Sequence, residues 1–331
     1  LLGKILPDAC DRSGHSLAFL LYIDPKKKYS MATKNETISV AVATRNRAHM
    51  LNETLESLEK QRIIPHEIVV FDNASSDETR KVVERMQGRL PIKYQYCRKI
   101  GINPTRNHAL KKCAGDIIFF LDDDLYCHPH LIAVILDFFR RKPYVAAVQG
   151  FLGNYQPDRL VPSVSQFTES TVAAVRCRNN ETVILPTMIT TSVFAIRKCI
   201  VDDHQLSFDE SLERGGDREF AHKIITQGLE IGYEKNAIVL HKNWSSTAWK
   251  YLQRRIRYGK ARASIVRKYG ATWIEEQNKR MGWREIINLA GKETICFGVI
   301  KKAAFFTLVG LGHILTRISF LYHLLKADLS M

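Results

Sequence analysis

The chain has 331 residues, 45% of them apolar and 25% charged, an ordinary balance for a globular protein that excludes general disorder. That length allows one large α/β domain with an appendage, or two domains. Lysine and arginine number 49 against 34 acids, a net charge of +15 that points to a polyanionic partner such as nucleic acid, anionic lipid or a phosphorylated ligand.

Near the start, the apolar stretch Leu17 to Ile23 is short and lacks a small-residue cleavage site, so it does not read as a signal peptide. "MATKNETISVAVATRNR" from Met31 looks like a natural beginning. Residues 1–30 are then an extension, a fragment of a longer protein or a start-site artefact.

From Ile38 strand-like and helix-like segments alternate. "ISVAVAT" (38–44) reads as a strand, and "RAHMLNETLESLEKQ" places Met50, Leu51, Leu55 and Leu58 on one helical stripe. "HEIVVFDNASSDET" is a second strand and a polar turn in which Ser75 or Ser76 caps the helix "DETRKVVERMQ". "IKYQYC" is a short strand and "GINPTRNHALKKC" a loop and helix. "GDIIFFLDDDL" then carries a continuous apolar run into three consecutive acids. This order predicts a parallel sheet with helices on both faces and its polar turns collected at one edge, where ligands bind in such sheets.

After Leu131 the rhythm changes to a helix, "HLIAVILDFFRRKP", then "YVAAVQGFLG", and then "TMITTSVFAIRKCIV", a strand entering a turn. "FDESLERGGDREFAHKIITQG" has a Gly-rich turn opening a helix near Asp217, and "LEIGYEKNAIVLHKNWSS" is a strand ending at His241. From Trp249 to Tyr269 the stripe Leu252, Ile256, Gly259, Ala263 and Val266 is surrounded by arginine and lysine, which makes a basic amphipathic helix. Residues 303–325 are mostly apolar but interrupted by His313, Arg317 and His323, which favours an interfacial or re-entrant helix over a full crossing.

Three adjacent carboxylates repel one another, and clustered oxygen ligands favour hard cations such as Mg²⁺ or Mn²⁺; the rival reading is a solvated acidic loop. Several other chemistries lack their residues. There is no GxxxxGK[ST] loop, and Gly310 and Gly312 lie in the apolar tail without a third glycine or a preceding strand. In a phosphatase of the haloacid dehalogenase type the paired aspartates belong to the first strand and Thr or Val follows, whereas here they come late and Tyr126 holds that place. The 7 cysteines are scattered, odd in number and without a CxxC pair, which argues against a disulfide framework and for a reducing compartment. Cys127, His128 and His130 have no second pair to complete a zinc site.

"VAVATRNRAHML", "IVVFDNASSDET", "GINPTRNHAL", "FFLDDDL", "FDESLERGGDREF" and "VLHKNW", in this order over about residues 36–260, resemble the family-2 glycosyltransferases of GT-A fold. The resemblance implies a Rossmann-like, mostly parallel sheet flanked by helices. It divides the chain into an N-terminal extension (1–35), a catalytic domain (36–245, with a nucleotide-binding half to 125 and an acceptor half from 126) and helices that associate with a membrane (246–331). It implies a divalent cation, Mg²⁺ or Mn²⁺, and a nucleoside diphosphate sugar donor. Asp122, Asp123 and Asp124 look like the family's DxD element, with Asp124 as metal ligand and Asp122 toward the ribose. Thr44, Arg47, Asp72 and Asn73 would line the nucleotide pocket, Arg106 would approach the base or phosphates, and His241 resembles a histidine that approaches the metal or diphosphate. For Asp72 and Asn73 plain turn chemistry is the alternative.

Attack by an acceptor hydroxyl requires a base, and Asp217 matches the aspartate of the family's Glu-Asp pair. Gly216 stands where Glu is common, which brings Glu213 and Glu219 into consideration as bases and makes a catalytically silent nucleotide-sugar binder or membrane scaffold the alternative. The basic tail suits an anionic membrane, or a wall that holds the donor diphosphate or a phosphorylated acceptor. The chain has no recognisable nucleic-acid module. The resulting expectation is an inverting transferase at the cytoplasmic membrane face, acting on a hydroxyl acceptor that is lipid-linked or a polysaccharide.

Overall fold

The structure, a computed structural model, describes residues 36–168, 189–242, 247–270, 294 and 297–328. The expectations for residues 1–35 lie outside the described residues, as does "NWSS" after Lys242. One eight-stranded sheet organises the chain, with strands β1 (Ile38–Thr44), β2 (Glu67–Asp72), β3 (Ile92–Tyr96), β4 (Ile117–Asp122), β5 (Leu125–Cys127), β6 (Ala147–Asn154), β7 (Val193–Arg197) and β8 (Ile231–His241). Their spatial order is β3-β2-β1-β4-β7-β6-β8-β5.

The first four strands are parallel neighbours, as the alternating pattern requires. Beyond β4 the sheet is mixed: β7 runs antiparallel to β4 and β6, β6 and β8 are parallel, and β5 is antiparallel to β8. The sheet is therefore less uniformly parallel than the sequence suggests, because β7 lies between β4 and β6 and runs against both.

β1, β2 and β4 are apolar on both sides because helices cover both sides. On one face Val40, Val42 and Phe119 pack with α1 (Ala48–Glu59), α2 (Thr79–Met86) and α4 (Leu131–Arg141). On the other, Ala41, Phe71 and Phe120 pack with α3 (Ile102–Lys112), and Phe194 with α7 (Gly216–Thr226). Two shorter helices, α5 (Leu160–Gln166) and α6 (Lys198–Asp203), lie between. α6 begins directly at the end of β7, where the sequence suggested only a turn.

The cap of α2 also differs from expectation. The Ser75 hydroxyl accepts from the Asn46 amide and the Ser76 amide donates to Asn46 Oδ1, so both serines serve the facing loop. Asp77 takes the capping part, accepting from the Thr79 amide at 3.1 Å.

α8 (Ala248–Tyr269) and α9 (Val299–Asp328) pack against each other. The buried face of α8 carries Tyr251, Arg255, Gly259, Ala263 and Val266, so Gly259, Ala263 and Val266 of the expected stripe are buried and Leu252 packs beside Tyr251, whereas Ile256 is 38% exposed and Arg255 is buried instead. The cause is the α9 backbone: Arg255 Nε donates to the Gly312 carbonyl, and Ser319 Oγ donates to the Ile256 carbonyl at 2.8 Å. A Cβ on Gly259 would lie 2.4 Å from the Thr316 carbonyl oxygen, so only glycine permits this approach. Val299–Lys326 is long and apolar enough to cross a membrane by length and composition. Its outward side exposes Leu311, Ile314, Ile318, Leu321 and Leu325.

Candidate active site

Behind β4 the apolar core ends and a cavity of about 700 Å³ opens. Its floor is the acid run. β4 carries Asp122 at its last position, and the chain turns at once into β5, which pairs with the end of β8 so that Leu125 opposes His241. This pairing, with the Lys242 amide donating to the Asp124 carbonyl at 3.0 Å, brings residues far apart in sequence to one point. Ligand atoms of Asp122, Asp124 and His241 all lie within 4.8 Å of one another.

Each acid has a different environment. Asp122 accepts from the Ser192 hydroxyl. Asp123 is buried and accepts from Thr44 Oγ1 at 2.7 Å and Arg47 Nη1 at 2.9 Å. Asp124 accepts from the same Arg47 nitrogen at 3.1 Å through Oδ2. Its Oδ1 is buried with no hydrogen-bond donor among the described residues, while His241 Nε2 stands 3.6 Å away. Burial pushes the Asp123 carboxyl up to about 6, against Arg47 and the Thr44 hydroxyl. Burial and the neighbouring Asp122 push Asp124 up to about 6 as well. The Asp122 carboxylate, the buried Asp124 carboxylate with its orphaned oxygen and the His241 imidazole fit a hard divalent cation, Mg²⁺ or Mn²⁺.

Around this floor the expected residues separate into two groups. Thr44, Arg47, Asn73, Arg106 and Asp217 all line the cavity. Asp72 does not: it is buried behind Asn73, its carboxylate accepting from Tyr94 OH at 2.6 Å and the Ser75 amide at 2.8 Å. Asn73 holds the facing loop, donating to the Lys99 carbonyl at 2.8 Å and accepting from the Gly101 amide at 2.9 Å. Arg106 lies over the Phe208 ring, 5.5 Å from its centroid. Burial lowers its affinity for the proton, opposed by the charges of Asp217 and then Asp122.

Asp217 opens α7, where a carboxylate is favoured by the helix dipole, after Gly215 in a left-handed conformation (φ 81°). Gly216 has a plain steric reason. A Cβ there would lie 2.2 Å from Asn103 Oδ1, and Asn103 is fixed by donating to the Asp209 and Leu212 carbonyls at 2.9 and 2.8 Å. The space that a larger residue would use is filled by the asparagine. Of the other candidate bases, Glu219 is fully buried and accepts from Tyr269 OH and Lys223 Nζ, both at 2.7 Å, away from the cavity. Glu213 is exposed at the rim, 3.9 Å from Lys260.

Residues 39–203 match the sequence model of glycosyl transferase family 2. The chain belongs to this family. Over 200 residues it is 29% identical to poly(ribitol-phosphate) beta-N-acetylglucosaminyltransferase TarS of Staphylococcus aureus, covering 58% of this chain and 33% of that protein. Over 90 residues it is 36% identical to the GalNAc(5)-diNAcBac-PP-undecaprenol beta-1,3-glucosyltransferase of Campylobacter jejuni, covering 26% of this chain and 29% of that protein. The matched part thus spans about a third of the length of these two relatives. The fold is GT-A, similar to residues 1–349 of S. aureus TarS (TM-score 0.52, 19% identity, 89% of this chain and 92% of that chain). It is also similar to the mannosyltransferase PcManGT of Pyrobaculum calidifontis, solved with GDP-Man and Mn²⁺ (TM-score 0.60, 18% identity, 90% and 91%).

Several residues of this family 2 cavity escaped the sequence reading. Ser192, which holds Asp122, follows two threonines in a segment without periodicity. Arg254 and Arg262 were visible only as part of a basic helix, although their spacing of two turns puts both on one face, and both line the cavity. Arg214, Arg218 and Tyr258 complete that wall.

Proposed function

We propose that this chain transfers a sugar from a nucleoside diphosphate donor to an acceptor hydroxyl, with inversion at the anomeric carbon. The observation that carries the reading is the opposition within one cavity of the Asp122, Asp124 and His241 cluster to Asp217. Asp122, Asp124 and His241 would hold a divalent cation, which when bound neutralises the charge that develops on the departing diphosphate. Asn73, Thr44 and Arg47 bound the donor side, with Asp72 acting from behind by fixing the loop after β2. Asp123 keeps Arg47 turned toward the acids.

In the transfer the acceptor oxygen attacks the anomeric carbon as its bond to the diphosphate breaks. The bonding pair leaves with the diphosphate, and the hydroxyl proton passes to the Asp217 carboxylate. Arg106, whose charge acts on both Asp217 and Asp122, offsets the repulsion of the two carboxylates and would attract the phosphates. The Asn103 side chain beside Gly216 keeps this first turn rigid, so the glycine does not argue for a silent binder. We place the catalytic unit at 36–245 and membrane association, at the cytoplasmic face, on the apolar outer side of α9 within 246–331. An acceptor that is lipid-linked or part of a polysaccharide suits that location.

The test is calorimetric binding of a panel of nucleoside diphosphates with and without Mn²⁺, to the unaltered chain and to Asp124→Asn, followed by donor-dependent release of nucleoside diphosphate by Asp217→Asn. Tight binding of one nucleotide that needs both Mn²⁺ and Asp124, with turnover lost in Asp217→Asn, is expected. Binding without turnover in the unaltered chain would identify a nucleotide-sugar-binding scaffold instead.

A further inference from the structure

The cavity has a second charged wall that a nucleotide donor does not account for. α8 turns Arg254, Tyr258 and Arg262 into it, and the start of α7 with its preceding loop adds Arg214 and Arg218. Among the described residues Asp217 and Glu213 line the same cavity, and Glu213 lies within ion-pair distance of Lys260.

Position separates this charge from the donor site. Arg254, in the N-terminal part of α8, lines the cavity together with the acids. Arg262 lies two turns further along the same face, about 12 Å along the axis. A diphosphate held at the acids does not span both. The guanidinium of Arg218 lies 5.6 Å above the Tyr258 ring, and that of Arg262 lies 5.3 Å above the Phe320 ring of α9. A guanidinium carries a planar N–H fork that suits the paired oxygens of a phosphate, and a position over an aromatic face adds a cation–π attraction.

We propose that the Arg218, Tyr258 and Arg262 wall is a subsite for a phosphate group carried by the acceptor, so that the acceptor is a phosphate ester rather than a neutral sugar. This rests on the transferase reading, since it presumes a donor on the opposite side. Two carriers present the same chemistry, a soluble polyol phosphate and a phospholipid-like headgroup. The second is geometrically natural because Phe320 belongs to the helix whose outer side exposes Ile314, Ile318, Leu321 and Leu325.

The experiment uses the full chain saturated with its nucleoside diphosphate and Mn²⁺. Glycerol 3-phosphate and glycerol are titrated by calorimetry, and phosphatidylcholine vesicles with and without phosphatidic acid are tested by flotation. Glycerol 3-phosphate is expected to bind and glycerol not to. Arg262→Gln and Arg218→Gln should each weaken that binding by roughly tenfold, the order expected for one charged hydrogen bond, with Arg262→Lys recovering part of it. Nucleotide affinity in each variant reports that the fold is intact. Glycerol binding as well as glycerol 3-phosphate, or phosphate binding that both glutamine variants leave unchanged, would overturn the subsite. Failure of any nucleotide to bind the unaltered chain would overturn the donor reading instead, so the two failures are distinct. An Arg262-dependent preference for phosphatidic acid vesicles supports the lipid carrier, and the reverse preference supports the soluble one.

Discussion

Gly216 and Asn103 make one structural decision between them, and its energy is open to a double-mutant cycle. In Gly216→Ala the new methyl would stand 2.2 Å from Asn103 Oδ1 and 2.5 Å from Nδ2, so the asparagine must leave its place. With it go the hydrogen bonds from Nδ2 to the Asp209 and Leu212 carbonyls, of which the second is fully buried. Two buried acceptors left unsatisfied cost about 2–4 kcal/mol together. Asn103→Ala alone removes the same two bonds and should cost a similar amount. In that background the obstructing amide is gone, and Gly216→Ala should be neutral or gain a few tenths of a kcal/mol, roughly the helix preference for alanine. The expected coupling is therefore about 2–4 kcal/mol, far above the ~0.3–0.5 kcal/mol deviation of independent sites. Urea unfolding of the four proteins, with slopes compared to verify a common transition, measures it. Costs that simply add, with Gly216→Ala equally damaging in both backgrounds, would refute the steric account of this glycine.

Asp124→Asn should remove the part of nucleoside diphosphate affinity that depends on Mn²⁺ while leaving the metal-free part, as read by calorimetry; an unchanged Mn²⁺ effect would remove Asp124 from the cation site. Glu67 accepts from Ser39 Oγ at 2.6 Å and from the Ala114 amide and Lys93 Nζ at 2.7 Å. Burial raises its proton affinity, but these partners outweigh burial and hold the carboxyl below its ordinary 4.5. Its contribution is thus present above the unfolded value and lost as pH falls through the lower folded one. Glu67→Gln should cost about 1–3 kcal/mol at neutral pH and progressively less in acid; a cost that does not shrink on acidification would contradict the assignment. Tyr269→Phe leaves buried Glu219 without its 2.7 Å donor and should destabilise by about 1–2 kcal/mol, measured by thermal unfolding. A neutral result would mean that Lys223 and the Asp209 amide satisfy the glutamate.

The first half of the sheet was legible because its strands announce themselves twice, by continuous apolar runs such as Ile117–Leu121 and by helical stripes such as Leu51, Leu55 and Leu58 between them. The acids were legible as a site because nothing in a core explains three carboxylates at a strand tip. His241 could be suspected from its place at a strand end, but its partner could not, since the pairing of Leu125 with His241 joins strands with no local signal between them. The face of α8 was misjudged for a related reason. Hydrophobic periodicity scores Ile256 above Arg255, whereas a backbone carbonyl of α9 can bury the arginine and leave the isoleucine outside. Gly216 was read as a missing residue, because a sequence shows a small side chain but not the Asn103 amide that occupies the space beside it.

The charges of the cavity explain why these elements must be rigid. Asp123 and Asp124 are buried, and Arg47, the Thr44 hydroxyl and Arg254 at the near end of the arginine wall offset their charge. On a mobile loop such carboxylates would swing to water, or collapse onto the arginines of α8 and close the cavity as an internal ion-pair network. β4 prevents the first, since Asp122 is the last paired residue of a strand buried on both faces and the two acids after it are fixed within the following turn. The packing of α8 prevents the second. Its backbone is held against α9 through Gly259, and Tyr269 ties its end to Glu219 of α7, so Arg262 and Arg218 remain at the cavity wall, each over an aromatic ring. Anionic and cationic walls held apart by a sheet and a helix pair cannot neutralise each other. A ligand set carrying both a cation and phosphate groups can neutralise both, and the fold keeps the two walls apart until it binds.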